Sequence, residues 1–253
     1  MFPFFLMLST SFKPIKEVFL VSTHLLPRQP ILSNYVKVFT ESMILRYLLN
    51  GVIVTVFTLA GQLLVIIPAS YAFAKLSFPG KRFLFVLILA ALVFPRYIAA
   101  VPNFLLFSKL KLINTYVALI LPFIGSPFGI FLMRQYFLQI PWEYFDAARL
   151  DGCNLVQMLV RVMVHLIRPA IGAFAIFSVV THWNDFFWPL VIVQTSKMYT
   201  PPAGIVYFTD VEAGTQWSVV MAAAVVIITP LVIAFLIGRK QFISSLTHVT
   251  LKG

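Results

Sequence analysis

The chain has 253 residues, of which 60% are apolar and only 11% charged, against about 25% charged in an ordinary soluble domain. That leaves too few charges for a fully water-exposed surface, so the excess apolar area has to face lipid. The net charge of +11 would suit nucleic acid if the cations clustered on one face, but they stand singly or in pairs such as Lys81-Arg82 and Arg239-Lys240, as in membrane loops.

Crossing a hydrocarbon core of about 30 Å takes about 20 apolar residues in a helix. The first apolar run, residues 2–12, rises only about 16 Å and reads as part of a truncated first span. Residues 47–74 form the first full span, closed by Lys75. Residues 83–107 form the second, with its main helix ending near Pro95 and a short helix after an irregular segment. Residues 115–133 form the third, kinked by Pro122, Gly125, Pro127 and Gly129. Residues 167–193 form the fourth, and residues 219–238 the fifth, closed by Arg239-Lys240. The expected fold is all-α and polytopic: one transmembrane domain, five full spans plus the partial one. Loop cations divide almost evenly between the two sides. Only their density around Lys75, Lys81 and Arg82 favours that side as cytoplasmic.

The loop between the third and fourth full spans, residues 141–160, carries the most local information. Pro141 suits a first helical position. Glu143 and Asp146 lie near the positive end of the helix dipole and Arg149 near the negative end. Asp146 and Arg149, three apart, can pair on one face. Gly152 can end the helix in the left-handed conformation, and Asn154 to Val160 supplies a second helical run. Such an element could lie on headgroups or dock in a partner's groove, with Ala147 and Ala148 permitting close approach and Trp142 and Phe145 filling the groove.

The run Asp146-Ala147-Ala148-Arg149-Leu150-Asp151-Gly152 resembles the Glu-Ala-Ala-(three residues)-Gly loop of ABC importer permeases. The resemblance extends to Ser70-Tyr71-Ala72-Phe73-Ala74-Lys75, Phe78-Pro79-Gly80-Lys81, Asn114-Thr115-Tyr116, Gly129-Ile130-Phe131-Leu132-Met133-Arg134, Trp183-Asn184-Asp185-Phe186-Phe187-Trp188-Pro189-Leu190 and the ending Lys252-Gly253. These motifs are similar to those of permeases serving oligosaccharides, maltose-like sugars and glycerol-3-phosphate. The resemblance implies an inner-membrane subunit of a binding-protein-dependent importer, with Glu143, Asp146, Ala147, Ala148, Arg149, Asp151 and Gly152 contacting a cytoplasmic ATPase. It also implies a second, different permease subunit, two ATPase subunits that hold ATP-Mg, and an extracytoplasmic solute-binding protein. Two positions depart from the family pattern. Asp146 stands where Glu is usual, and His165 closes Val162-Met163-Val164-His165 where Pro is usual.

Polar residues inside or beside the spans have two readings each. Asp185 with Asn184, Trp183 and Trp188 either lines a solute path or forms an interfacial group in which the carboxylate caps a helix end. Asn50 is a path-lining amide or a helix-packing hydrogen-bonder. Arg96 marks the outer membrane boundary or, in the alternative reading, a site for a substrate phosphate. The four histidines, His24, His165, His182 and His248, lack metal-ligand spacing. No Gly-(four residues)-Gly-Lys-Ser/Thr loop occurs, so ATP belongs to another chain; the expectation is a transport subunit without cofactor, not an enzyme. Within the resembled family the alternative is a permease for amino acids, peptides or phosphate, against which the segment Trp183 to Leu190 favours sugars. Outside it, a secondary transporter would need ion-coupling groups at mid-membrane, and a motor-free channel would not need the loop at 141–160.

Overall fold

The computed structural model describes residues 2–19, 25–209 and 215–250; His24 and Lys252-Gly253 lie outside them. Among the described residues every regular element is helical. α1 is Phe2–Ser11, and α2, Ser33–Thr40, precedes the first long helix.

α3 runs from Ile44 to Lys75, 32 residues, or about 48 Å at 1.5 Å per residue. It exceeds the expected span 47–74 at both ends, because Ser42 and the Leu76–Gly80 turn, rather than the hydrophobic boundary, delimit it. The expected second span does break at Pro95. α4, Lys81–Val93, ends where Phe94 turns extended (ψ 127), as a residue before proline is forced to do. A 3₁₀ turn, Arg96–Ala99, then leads into α5, Ala100–Lys109.

The third span is two helices, α6 (Tyr116–Ile120), prolonged by a 3₁₀ turn to Phe123, and α7 (Pro127–Gln139); the segment Tyr116–Phe123 meets α7 at a bend of 45°. Ser126 restarts the helix: its hydroxyl accepts the Gly129 N–H, and Pro127 takes the first helical position. α7 thereby continues six residues beyond the expected end at 133. α8 is Glu143–Leu150.

The fourth span also differs from the expectation. α9, Arg168–Trp183, makes an angle of 81° with the preceding segment Leu155–Leu166. It stops before Asn184, and α10, Phe187–Ile192, is a separate helix. α11, Trp217–Thr250, stays helical past Arg239-Lys240. Lys and Arg are good helix formers and do not end a helix by themselves. By length and composition Ile44–Lys75 and Trp217–Leu236 each suffice to cross a membrane, and the number reaches five if each bent pair is one crossing.

The chain folds into two compact units. The first comprises Met1–Val54, Phe107–Leu119 and Val180–Leu236. Its core packs Val38, Ile44 and Tyr47 with Val219, Ala222, Ala223 and Ile227. The second comprises Thr55–Leu106, Ile120–Val179 and Ile237–Gly253. Its core joins Ile66 and Tyr71 of α3, Met133 and Phe137 of α7, Phe145 and Ala148 of α8, and Phe174 of α9. α7 comes close to its neighbours at Gly129, where a Cβ would lie 2.5 Å from Ile66 Cδ1 and 2.7 Å from Phe174 Cε2.

Candidate functional site

α8 begins with the Trp142 carbonyl accepting the Phe145 and Asp146 N–H groups at 2.8 and 3.1 Å. Pro141 therefore precedes the helix instead of opening it, a shift of two residues from the expectation. Glu143 and Asp146 occupy the first turn and Arg149 the last. Arg149 pairs with Asp146 at 3.6 Å, but the two side chains are 57% and 64% exposed, so the pair adds little stability. At the other end the Gly152 N–H reaches the Arg149 carbonyl and the Cys153 N–H the Ala148 carbonyl, both at 3.0 Å. Gly152 has φ 75, which completes a Schellman stop that an L-residue would strain.

The chain then re-enters a helix at Asn154, whose side chain accepts the Gln157 N–H at 2.9 Å while Gln157 Oε1 accepts the Asn154 N–H at 3.0 Å. This capping box starts a run that passes through a π-helical stretch, Met158–Met163, and ends at Leu166. The sharp turn into α9 is made at Ile167. His165 sits inside the helical run, so the turn forms without the proline usual there.

The helix has two faces. Phe145 is 0% exposed and lies against Tyr71, ring centroids 5.8 Å apart; Ala148 is buried in the same core. Both, expected to face a partner, are buried in this core, where their small or flat side chains seat α8 on α3 and α7. Lys75 fastens the seat from the end of α3. Its Nζ donates to the Ile140 carbonyl at 2.6 Å and stands 5.0 Å from the ring centroids of both Trp142 and Phe145. The opposite face bears Glu143, Tyr144, Asp146, Ala147, Arg149, Leu150, Asp151 and Gly152, all exposed. Leu150 is 89% exposed. Leu150, with Leu155, Val156 and Val160 exposed beyond the turn, adds an apolar component that reading for charges alone passes over. Its signal was periodicity: with Phe145 and Ala148 inward, Leu150 falls off the buried stripe.

The candidate path residues are placed differently. Asn50 is 0% exposed. Its amide nitrogen donates to the Lys197 and Tyr199 carbonyls at 2.9 and 2.8 Å, and its oxygen accepts the Tyr116 hydroxyl at 2.7 Å. Trp183 and Trp188 are buried, donating their indole N–H groups to the Ile227 and Ala118 carbonyls at 3.1 and 2.9 Å. These three hold the first unit together through polar atoms engaged within the chain, which for Asn50 is the helix-packing arrangement. Asp185 accepts the Trp188 N–H at 3.3 Å, the helix-capping alternative. Asn184 is exposed, and its amide turns back to the Val180 carbonyl at 2.8 Å.

Residues 63–246 match the family described as binding-protein-dependent transport system inner membrane component. The chain belongs to that family. The match spans α8 and its turn, so the loop described above is part of the family's shared region. Among the relatives of this transport component is the arabinooligosaccharides transport system permease protein AraQ of Halalkalibacterium halodurans, 35% identical over 255 residues, covering 100% of this chain and 91% of that one. The protein of the same name from Bacillus subtilis is 34% identical over 256 residues, again covering 100% and 91%. A solved bacterial ABC transporter involved in import of the acidic polysaccharide alginate superposes with a TM-score of 0.84 at 26% identity, covering 95% of this chain and 90% of that one. The protein is thus a multi-pass inner-membrane permease subunit of a binding-protein-dependent importer, a transport component and not an enzyme.

Proposed function

We propose that this permease subunit passes a sugar or oligosaccharide across the membrane, and that the exposed face of Glu143–Leu150 with the Gly152 turn docks into a cytoplasmic ATPase. The solute class follows the relatives, whose names concern arabinooligosaccharides and alginate. The observation that carries the docking role is the division of α8. Phe145 and Ala148 anchor it rigidly in the core, while Glu143, Asp146, Ala147, Arg149, Leu150 and Asp151 form an exposed face of mixed charge and apolar surface. A helix seated in this way passes a push on its outer face to α3 and α7 with little loss, because packed interiors transmit displacement. ATP-Mg binds in the ATPase pair, and its closure moves the helices between inward- and outward-open states. A second permease subunit supplies the other half of the pathway, and an extracytoplasmic binding protein delivers the solute.

Uptake of labelled oligosaccharide into cells tests this reading. Asp146→Lys places a cation where the face is acidic, and Gly152→Val strains the left-handed turn by about 1–2 kcal/mol. Each is expected to cut uptake at least about tenfold with the amount of inserted protein unchanged. Unimpaired uptake by Asp146→Lys contradicts the docking assignment.

A further inference from the structure

α4 starts at Lys81, without a side-chain cap, and packs against α7. Where they meet, Phe73, Lys81, Arg82, Phe85, Val86 and Arg134 line a cavity of about 390 Å³. Three of these six are cations and none is acidic. Among the described residues none of the three cations forms an ion pair. Arg134 is held rigidly: its Nε donates to the Phe73 carbonyl at 3.0 Å, and its guanidinium carbon lies 4.1 Å from the Phe85 ring centroid. Lys81 Nζ donates to the Leu76 carbonyl at 2.7 Å, and Arg82 is exposed. Three like charges gathered in one recess, beside the positive end of a helix dipole, are stabilised by an anion between them.

The surroundings decide which anion. From the cavity, α4 runs into its apolar stretch with Phe83, Val86 and Leu87 exposed, Phe83 by 66%. At spacings of three and four these fall along one helix stripe leading away from the cations. A cationic recess with an apolar track beside it matches a phosphate carrying acyl chains, whereas free phosphate would make no use of the track. The recess also lies on the membrane face that carries α8, since Lys75, six residues before Lys81, touches Trp142 and Phe145.

We propose that this cavity binds the headgroup phosphate of an anionic phospholipid, with Arg134 as the fixed donor, Lys81 and Arg82 closing on it, and Phe83, Val86 and Leu87 along an acyl chain. The proposal needs only that the chain is embedded in the membrane; it does not depend on the docking role of α8. Basic recesses between membrane helices bind anionic headgroups by this combination of charge and depth.

The test is native mass spectrometry of the full-length chain released from nanodiscs of equal phosphatidylglycerol and phosphatidylcholine. The wild-type chain is expected to retain phosphatidylglycerol selectively. Lys81→Gln/Arg82→Gln, which leaves the Arg134 contacts in place, should weaken retention at least about tenfold, since each cation near an anionic headgroup adds to its binding. Lys109→Gln/Lys111→Gln, outside the cavity, should not. Equal retention of the two lipids, or no loss in the first double variant, overturns the proposal. So does displacement of the lipid by millimolar inorganic phosphate, which would mark a site for the free anion. Arg82→Gln alone, a side chain that makes no hydrogen bond among the described residues, repeats the comparison should the double variant fail to fold.

Discussion

At the scale of single residues, most polar groups buried in the protein serve the fold, and their partners say what a substitution will cost. The Asn50 amide makes three hydrogen bonds, to two carbonyls and one hydroxyl. Asn50→Leu removes these bonds in a partly buried setting, where a group left unsatisfied costs up to about 1–3 kcal/mol. The purified chain is expected to unfold at a clearly lower temperature while the range of transported solutes stays the same. A changed solute preference at unchanged stability would return Asn50 to the path. Lys75 is the polar fastening of α8, through Ile140 and the faces of Trp142 and Phe145. A charge-assisted hydrogen bond contributes about 1.5–3 kcal/mol and a cation–π contact about 0.5–1 kcal/mol. Lys75→Gln should therefore loosen α8 locally, and tryptic cleavage after Arg149 should accelerate about tenfold or more. No acceleration would mean that Phe145 and Ala148 hold the helix without it.

At the scale of elements, α7 crosses its neighbours so closely at Gly129 that the absent side chain is itself the packing feature. Gly129→Val drives a branched side chain into Ile66 and Phe174, and overpacking of this kind costs about 1–3 kcal/mol. The expected outcome is lower thermal stability in detergent, with Gly125→Val milder because a Cβ at Gly125 meets open space. Equal losses at the two positions would show that backbone preference, not contact, is responsible.

The elements also show what was legible in the residues. The uninterrupted run ending at Lys75, the break at Pro95 and the left-handed stop at Gly152 were readable, because each depends on local chemistry: apolar length, the proline ring and a missing Cβ. The inward turn of Phe145 and Ala148 was not. It depends on Tyr71, more than seventy residues earlier in the chain, being within reach. The same holds for Trp183 and Trp188, whose N–H groups find carbonyls at Ile227 and Ala118. Side chains suited to sugar binding are equally suited to packing, and only tertiary neighbours tell the two apart.

At the scale of the whole molecule, the chain is a transport component by family and fold, and its work depends on what it assembles with. The central claim is that the outer face of α8 is the contact through which an ATPase drives the helices. The most direct measurement is affinity purification of the tagged chain from native membranes in mild detergent, with mass spectrometry of the proteins that accompany it, repeated for Asp146→Lys and Gly152→Val. The account predicts that an ATPase and a second permease co-purify with the wild-type chain. It predicts further that both variants lose the ATPase and keep the permease. An ATPase retained undiminished by both variants, or an intact assembly containing only this chain, would contradict it.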